Sequence, residues 1–405
     1  MAEEIRPVRA EETTAFFNMV GQAFQPPPGD LERWRQSAVL SELRGLFVDG
    51  EMRAGLALLP MQMWFGAGTV RAGGLSAVAT PPEYRRQGYI GRLLDAVAAE
   101  MRADGYPLSI LYPFYFPFYK RYGWAHVSDN LQYTIPIERL PIVKQTGSWH
   151  AVAVTTDLPK PGDQPAVSDA DLAILMGIYD AWAPGRSGPL VRHATHWRRR
   201  KLSRPANIYY WRDPSGEPRA YVVYTFKETA PWTRQVQIRE MIALDGAALR
   251  AVFGFLRNHD SQAQEVVADQ PEAGRLLALL DDPRIKVEVD PGFMLRILDV
   301  PAALEARRYP AGVSGNLALQ VTPVHGGTTP VSGQLAVNDG GGAWAPTRVA
   351  PALSLDERVL GQLYTGYLTP TQAADLGLLT VHDPAGLAQA EAVFAGPRPY
   401  LPDFF

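Results

Sequence analysis

The stretch Ala77-Val-Ala-Thr-Pro-Pro-Glu-Tyr-Arg-Arg-Gln-Gly88 lies between an apolar run and a strongly periodic segment, and it decides the fold. The run that leads into it, residues 73–80, is rich in small residues and indicates a strand against whose backbone a ligand could lie. The segment after it predicts a helix with one apolar face, because these residues follow the helical period: Ile90, Leu93, Leu94, Val97, Ala98 and Met101. Gly105 is the expected C′ residue of that helix, and Pro107 prevents its continuation.

The loop between this strand and this helix predicts a phosphate site. Arg85 and Arg86 stand close to Gly88, where the helix is expected to begin. A helix N-terminus offers free backbone N–H groups and about half a positive charge, so two linked phosphates are the expected ligand. Paired arginines on a surface turn usually carry only solvated charge, but the strand and helix that enclose this pair favour the phosphate site.

The sequence excludes several other phosphate-binding and nucleophilic sites. It contains neither the G-x-x-x-x-G-K-[ST] loop of nucleoside triphosphatases nor a G-x-G-x-x-G between a strand and a helix. Because there is no cysteine and no G-x-S-x-G, a covalent acyl-enzyme is not expected. If the protein transfers an acyl group, we expect the group to pass directly from donor to acceptor in a ternary complex. His193 and His196 have the spacing of metal ligands, but no acidic residue is close, so an ordinary helix face is favoured and no metal is expected.

A segment dense in aromatic residues, 114–124, follows the predicted buried strand Leu108–Tyr112. Pro117 suits the start of a short helix and Gly123 suits its end. Most of the rings in this segment are expected to pack in the core. A tyrosine here is a candidate acid, because a phenol with a pKa of about 10 is protonated at pH 7 and can protonate the thiolate that leaves a thioester. This property alone does not choose among Tyr112, Tyr115, Tyr119 and Tyr122.

Length and charge limit the class of protein. A chain of 405 residues is expected to hold two or three domains. The net charge of -3 provides no bulk basic surface, so nucleic acid is not an expected partner. The N-terminus MAEEIRPVRAEE lacks the apolar core of a signal peptide, and no stretch approaches the roughly 18 apolar residues of a membrane span. We therefore expect a cytoplasmic protein without membrane contact.

The order of predicted elements divides the chain into three blocks. Residues 1–145 alternate strand and helix signals as in a mixed, mostly antiparallel sheet, which a strand near 130–135 is expected to close. Residues 146–292 echo that order, but no R-x-x-G opens a helix there. Residues 293–405 combine turn-rich strands with helices and end in Pro399-Tyr-Leu-Pro-Asp-Phe-Phe405, whose aromatic residues indicate a terminus packed against the protein. The predicted fold class is α+β, with mixed α/β sheets.

Two motifs resemble those of the GNAT N-acetyltransferases. Arg85–Gly88 matches the R-x-x-G part of their acetyl-CoA signature, Q/R-x-x-G-x-G/A. Ile90 departs from the last small-residue position of that signature, and Gly91 follows it. Phe118–Trp124 matches their F-Y-x-x-x-G-F/Y/W element.

The whole chain resembles one family, the Eis-like (enhanced intracellular survival) acetyltransferases of bacteria, most specifically in Ala77–Gly88, Phe118–Trp124, Met294–Pro301 and the aromatic end at Phe405. The resemblance implies tandem GNAT folds followed by a sterol-carrier-protein-like α+β domain. The catalytic GNAT domain would span 1–145, and a GNAT-like domain without a cofactor motif would span 146–292. The last domain, 293–405, would place the C-terminus in the active site. The resemblance also implies a homohexamer.

The same resemblance assigns roles to individual residues. It implies acetyl-CoA as cosubstrate, bound by Val78, Ala79, Arg85, Arg86, Gln87, Gly88, Tyr89, Ile90 and Gly91. It makes Tyr119 the acid and the α-carboxylate of Phe405 the base toward the amine, while backbone N–H groups around Val78 polarise the thioester carbonyl. An α-carboxyl titrates near about 3.5 in water, and burial would raise that value and strengthen the base. The carboxylate could equally act by orienting the amine.

The acceptor is predicted only as a primary amine. Eis-like enzymes include acetylators of aminoglycosides and of lysine side chains, and polyamines carry the same group. A cationic acceptor favours an acidic pocket, for which Asp30, Glu32 and Asp403 are candidates, although acidic residues on loops more often lie at plain surface. Two other classes stay open: an acyl-CoA sensor or lipid-binding module, and a scaffold with a vestigial site. The agreement of several site elements disfavours both.

Overall fold

The computed structural model describes residues 2–144, 146–155, 166–270 and 276–405. Its contacts divide the chain into two compact units. Unit 1 comprises Met1–Ser128, Gly185–Leu190 and Gly292–Phe405, and unit 2 comprises Asp129–Pro184 and Val191–Pro291. Each unit is built on its own sheets.

The strands of the described residues are, in chain order, β1 (Glu3–Pro7), β2 (Leu43–Val48), β3 (Glu51–Gly66), β4 (Gly68–Ala79), β5 (Leu108–Leu111), β6 (Ala125–His126), β7 (Asp129–Pro136), β8 (Ser148–Ala151), β9 (Val154–Thr155), β10 (Ala166–Val167), β11 (Arg186–Leu190), β12 (Asn207–Arg212), β13 (Pro218–Ala230), β14 (Thr233–Ala243), β15 (Glu265–Gln270), β16 (Lys286–Pro291), β17 (Met294–Ile297), β18 (Gly315–Thr322), β19 (Val331–Asn338), β20 (Gly341–Pro346), β21 (Leu353–Asp356) and β22 (Leu379–Val381). The α-helices are α1 (Thr13–Phe24), α2 (Asp30–Ser37), α3 (Tyr89–Ala103), α4 (Phe116–Lys120), α5 (Asp169–Trp182), α6 (Ala194–His196), α7 (Gly246–Arg257), α8 (Val300–Ala306), α9 (Glu357–Thr365), α10 (Pro370–Asp375) and α11 (Pro384–Phe394).

The first sheet of unit 1 is mixed. Its order is β1-β2-β3-β4-β5-β17-β6, and β11 pairs with β3. Among these strands only β4 and β5 run parallel. The turn between β2 and β3 is an Asp-Gly hairpin, in which Asp49 and Gly50 have φ angles of 50° and 83°. The mixed sheet with helices confirms the predicted fold class.

Helix α3 covers this sheet with the apolar face that the sequence predicts. Leu93, Leu94, Val97, Ala98 and Met101 are all at most 1 % exposed. Burying each of the larger side chains contributes about 1.5–3 kcal/mol. The predicted small-residue strand serves this packing, because a Cβ on its glycine 73 would lie 2.1 Å from the sulfur of Met101.

The C-terminal part of unit 1 has a second sheet, ordered β20-β19-β18-β21-β22. Strands β18 and β21 are parallel, and the other neighbours are antiparallel. The helices predicted in this part correspond to α8, α9, α10 and α11. Strand β17 does not belong to this sheet: it lies between β5 and β6 of the first one.

Unit 2 contains a sheet ordered β16-β7-β15-β14-β13-β12-β8. The expectation that a strand near 130–135 closes the first block was wrong, because β7 pairs with β15 and β16 in this sheet. This sheet and the first sheet of unit 1 share one feature, a single α-helix that joins two parallel strands. In unit 1, α3 joins β4 to β5, and in unit 2, α7 joins β14 to β15.

Within the described residues, none of the helices has both the length and the apolar composition needed to cross a bilayer.

Candidate active site

The parallel strands β4 and β5 separate at their carboxyl ends. Their pairing runs from Ala72 with Leu108 to Leu75 with Leu111. Strand β5 ends there, whereas β4 continues to Ala79. The carboxyl ends of parallel strands are a usual place for ligands in sheets covered by helices. The half-buried residues 76–78 therefore lie where a ligand could reach backbone groups.

A bulge shapes this part of β4. Ser76 pairs with Ala57 and Ala79 pairs with Gly55, so Ala77 and Val78 fall within a shift of register. Ala77 has a φ of 52°, in the left-handed region that alanine rarely adopts. Bulges and strained residues of this kind are frequent beside functional sites. The predicted cofactor-binding residues Val78 and Ala79 thus lie in a distorted strand end.

The predicted phosphate loop is accessible. Arg85, Arg86, Gln87 and Gly88 are all exposed. Arg86 and Gly88 have φ angles of 63° and 80°, so the loop turns tightly into α3. Gly88 is the N-cap residue of α3, and no side chain caps the first turn. Uncapped N–H groups beside two guanidinium groups form a site suited to phosphate. Tyr89, also a predicted binding residue, donates its hydroxyl hydrogen to Gln87 Oε1 at 3.0 Å.

Gly91 lets α3 approach the aromatic turn. A Cβ on Gly91 would lie 2.3 Å from the hydroxyl oxygen of Tyr122. Gly91 is buried, whereas Ile90 beside it is half-buried and packs against the cluster that contains Tyr119. The contact with Tyr122 therefore explains why a small residue follows Ile90, one position beyond the end of the signature.

Gly91→Ala is expected to lower the melting temperature. Alanine favours a helix interior over glycine by about 1 kcal/mol, but the overpacked contact with Tyr122 costs about 1–3 kcal/mol. Tyr122→Phe removes the hydroxyl oxygen, so Gly91→Ala should be better tolerated in that background. Calorimetry of the two single variants and the double variant measures this coupling, and equal costs of Gly91→Ala in both backgrounds would contradict it.

Tyr119 is buried in a cluster of aromatic rings on α4. Its side chain is 1 % exposed. The ring centroids of Phe114, Phe118 and Trp124 lie 5.3, 5.1 and 6.2 Å from its own. Burial raises the pKa of Tyr119 above its usual value, so the phenol is neutral at physiological pH. No described residue forms a hydrogen bond with its hydroxyl, so the hydroxyl hydrogen is available to be donated to a ligand.

The end of the chain lies against β4 and Tyr112. The hydroxyl of Tyr112 donates to the backbone carbonyl oxygens of Leu401 and Asp403, at 3.2 and 2.9 Å. The Phe405 ring lies 5.6 Å from the Tyr112 ring, and a Cβ on Gly74 would come within 3.2 Å of it. Phe405 is 8 % exposed.

The predicted residues form groups around the ends of β4 and β5. Leu111, the last residue of β5, packs in the hydrophobic cluster of Tyr119, and the next residue, Tyr112, contacts Phe405. Within the described residues, no hydrogen bond or ring contact joins Phe405 to Tyr119. The sequence did not assign a function to Tyr112, and its place at the end of the predicted buried strand Leu108–Tyr112 was the signal that it lies near the edge of the sheet where the tail packs.

The acidic candidates differ in exposure. Asp30 and Asp403 are buried, at 3 % and 2 % exposure, and Asp30 forms an ion pair with Arg33. Glu32 is exposed. Of the three acidic candidates, only Glu32 is therefore an ordinary surface residue. In the part of the chain that the structure describes, no group of three or more His, Asp or Glu residues is suited to hold a metal.

Helix α7 of unit 2 has the same topological position as α3 but a different N-terminus. The Asp245 carboxylate caps it by accepting from the Ala248 N–H at 2.8 Å, and also pairs with Arg219 at 2.6 Å. The hydrogen bond from Ala248, together with Arg219, lowers the pKa of Asp245, so the cap is charged. A second anion is disfavoured where a carboxylate already occupies the N-terminus.

Comparison with known proteins gives the same architecture. An acetyltransferase (GNAT) domain family matches residues 4–127, a second acetyltransferase (GNAT) domain family matches 188–297, and a sterol carrier protein domain family matches 300–402. An uncharacterized N-acetyltransferase of Streptomyces griseus is 26% identical over 427 residues, 100% of both chains. The N-acetyltransferase Eis of Mycobacterium tuberculosis is 26% identical over 336 residues, 80% of this chain and 78% of that one.

A solved structure is also similar over the whole chain. A GCN5-related N-acetyltransferase from Anabaena variabilis superimposes with a TM-score of 0.88 and 27% identity, covering 100% of each chain. Two GNAT domains imply the use of acetyl-CoA. The chain therefore belongs to the Eis-like family of GNAT N-acetyltransferases, with two GNAT domains followed by a sterol carrier protein domain.

Proposed function

We propose that the protein transfers the acetyl group of acetyl-CoA directly to a primary amine within a ternary complex. The acceptor class comprises aminoglycosides, polyamines and lysine side chains. The observation that carries the proposal is Tyr119, a buried neutral phenol whose hydroxyl has no hydrogen-bond partner in the described residues, beside the separating ends of β4 and β5.

Acetyl-CoA would bind along the loop and the strand end. The side chains of Arg85 and Arg86 and the N–H groups of Gly88 to Gly91 would hold the pyrophosphate, because the N-terminus of α3 is uncapped and exposed. The backbone of Val78 and Ala79 would face the acyl end, and an N–H near Val78 would stabilise the developing oxyanion.

The chemistry then needs two proton transfers. The amine nitrogen attacks the thioester carbonyl carbon, a C–N bond forms and the C–S bond breaks. Tyr119 would give its proton to the leaving thiolate, and the α-carboxylate of Phe405 would take the proton of the attacking amine. The buried tail held by Tyr112 supports this placement of the chain end.

The three blocks 1–145, 146–292 and 293–405 would have different roles in this reaction. The first would bind cofactor and the last would supply the terminal carboxylate. The middle block would bind no cofactor, which the carboxylate cap of Asp245 on α7 supports. By family resemblance we also propose a homohexamer, and light scattering at working concentration would measure the assembly.

The first test is thiol release from acetyl-CoA by protein with an unmodified C-terminus, across polyamines, aminoglycosides and lysine peptides. We expect amine-dependent release and a mass increase of one acetyl group on the acceptor. Tight CoA binding without release on any amine would favour the sensor instead, and the best amine would define the substrate class.

Replacing both loop arginines by glutamine (Arg85→Gln with Arg86→Gln) is expected to raise the KM for acetyl-CoA by about tenfold or more, since each charge-assisted hydrogen bond is worth about 1.5–3 kcal/mol. The kcat should change little, because these groups would bind substrate and transition state alike. Initial rates at two ionic strengths measure the effect, which should shrink as salt rises. Arg348→Gln, at another exposed arginine, is the matched control. An unchanged KM in the double variant would refute the pyrophosphate site.

A further inference from the structure

A buried ionic pair lies beneath the turn that follows Tyr119. Arg296 is on β17 and is 1 % exposed, and Glu357 begins α9 and is 7 % exposed. Their closest atoms, Arg296 Nε and Glu357 Oε1, are 4.0 Å apart. The carboxylate therefore comes from the C-terminal sheet-and-helix part of unit 1, far along the chain from the aromatic turn.

This pair fills the space that a side chain on Gly123 would need. A Cβ on Gly123 would lie 2.1 Å from Glu357 Oε1 and 3.0 Å from Arg296 Nε. Gly123 also has a φ of 91°, which favours glycine. The Glu357 carboxylate thus packs directly against the Gly123 backbone.

The same turn holds the backbone of Tyr119. The Tyr119 carbonyl oxygen accepts the N–H groups of Tyr122 and Trp124, at 3.0 and 3.3 Å. The Trp124 ring lies 5.1 Å from the Arg296 guanidinium carbon. Glu357 and Arg296 therefore contact the two residues, Gly123 and Trp124, that close the turn onto Tyr119.

The pair is a poor stabilising device as it stands. Within the described residues, Arg296 Nε, Arg296 Nη1 and Glu357 Oε1 are buried without a hydrogen bond. The Arg296 Nη2 contact with the carbonyl oxygen of His325 is long, at 3.4 Å. Buried charges with unfilled hydrogen bonds generally offer less stability than apolar residues of the same volume. Stability alone does not account for these two residues.

We propose that Glu357 and Arg296 are positioning residues that fix the Gly123 turn and thereby aim the hydroxyl of Tyr119 at the leaving thiolate. This inference rests on the proposed acid role of Tyr119. It makes the sterol-carrier-like part of the chain a component of the catalytic apparatus, through α9 as well as through the terminal tail.

The central test is a kinetic cycle with Glu357→Ala, Tyr119→Phe and the double variant. Glu357→Ala alone is expected to lower kcat by about 10–100-fold, since a misplacement near 1 Å can cost about that much. The KM for acetyl-CoA should change by less than about twofold, since the phosphate loop is untouched. In the Tyr119→Phe background, Glu357→Ala should cause no further loss of kcat.

Asp356→Ala provides the matched control. Asp356 caps the same helix by accepting from the N–H groups of Arg358 and Val359. Its loss should lower the melting temperature, as cap removal does, while kcat per folded protein stays unchanged. If Glu357→Ala does not fold, Glu357→Gln keeps the volume, removes the charge and enters the same cycle.

A second cycle tests the contact itself. The methyl group of Gly123→Ala can enter the space that Glu357→Ala vacates, so Gly123→Ala should lower the melting temperature less in that background than in wild type. The left-handed strain of alanine is the same in both backgrounds and cancels. Equal shifts in both backgrounds would overturn the contact.

The outcomes separate the two proposals. Equal losses of kcat from Glu357→Ala in both Tyr119 backgrounds, with Tyr119→Phe itself impaired, would overturn the positioning role and leave the acid role of Tyr119 intact. Full activity of Tyr119→Phe would overturn the acid role, and with it the positioning role.

Discussion

Tyr119→Phe is expected to lower kcat by about 10²–10⁴-fold, the usual contribution of a general acid, with little or no fall in melting temperature. The stability expectation follows from the burial of the ring and the absence of a hydrogen bond to its hydroxyl in the described residues. Phenylalanine keeps the ring and its contacts with Phe114, Phe118 and Trp124. Removing a buried hydroxyl that has no protein partner leaves no other group unsatisfied.

The pH dependence follows from the same burial. Because burial raises the pKa of Tyr119, its phenol stays protonated beyond the ordinary value of about 10. The acid is therefore in its active form at neutral and mildly alkaline pH, and is lost only as pH rises through the raised pKa. We expect the wild-type rate to show no decline between about pH 7 and 9 from this group.

Steady-state rates with acetyl-CoA and the best amine, together with thermal melts, measure both effects. Tyr115→Phe is the matched control, since Tyr115 precedes the same helix α4 and is 59 % exposed. It should retain wild-type kcat. Wild-type kcat in Tyr119→Phe, or an equal loss in both variants, would contradict the acid role.

Local patterns in the sequence predict the strand and the helix on either side of the predicted phosphate loop. The face of α3 and its stop at Gly105, which has a φ of 74°, depend on residues that are neighbours along the chain. The same holds for the turn at Asp49 and Gly50 between β2 and β3. Such elements are predictable because their period and their turn residues are set within a short window.

Pairing between distant strands is not set within such a window. The sequence of β7 reads as an ordinary strand, and its place beside β15 and β16 depends on residues more than a hundred positions away. Likewise β17 lies between β5 and β6, which no local signal indicates. Gly123 was predicted only as a helix end, whereas its missing side chain also makes room for Glu357. Contacts of this kind become visible only in the folded chain.

Adding one glycine after Phe405 is expected to lower kcat by about 10²-fold, because it moves the terminal carboxylate away from the amine that it would deprotonate. The melting temperature should change little, since the Phe405 ring can keep its contacts with Tyr112 and Gly74. Deleting Phe405 moves the carboxylate and also removes a buried ring worth about 1.5–3 kcal/mol, so that variant should lose both activity and stability.

Comparing the glycine-extended variant with the variant that lacks Phe405 separates the role of the terminal carboxylate from that of the Phe405 ring. Phe404→Ala controls for changes in the tail, because the Phe404 side chain is 77 % exposed and its removal leaves the terminal carboxylate in place. Phe404→Ala should retain most of the wild-type kcat. If the glycine-extended chain acetylates amines as fast as wild type, the terminal carboxylate is not the base. If kcat falls on deletion of Phe405 but not on extension by glycine, the ring and not the carboxylate is needed, and the tail serves to close the site by packing against β4.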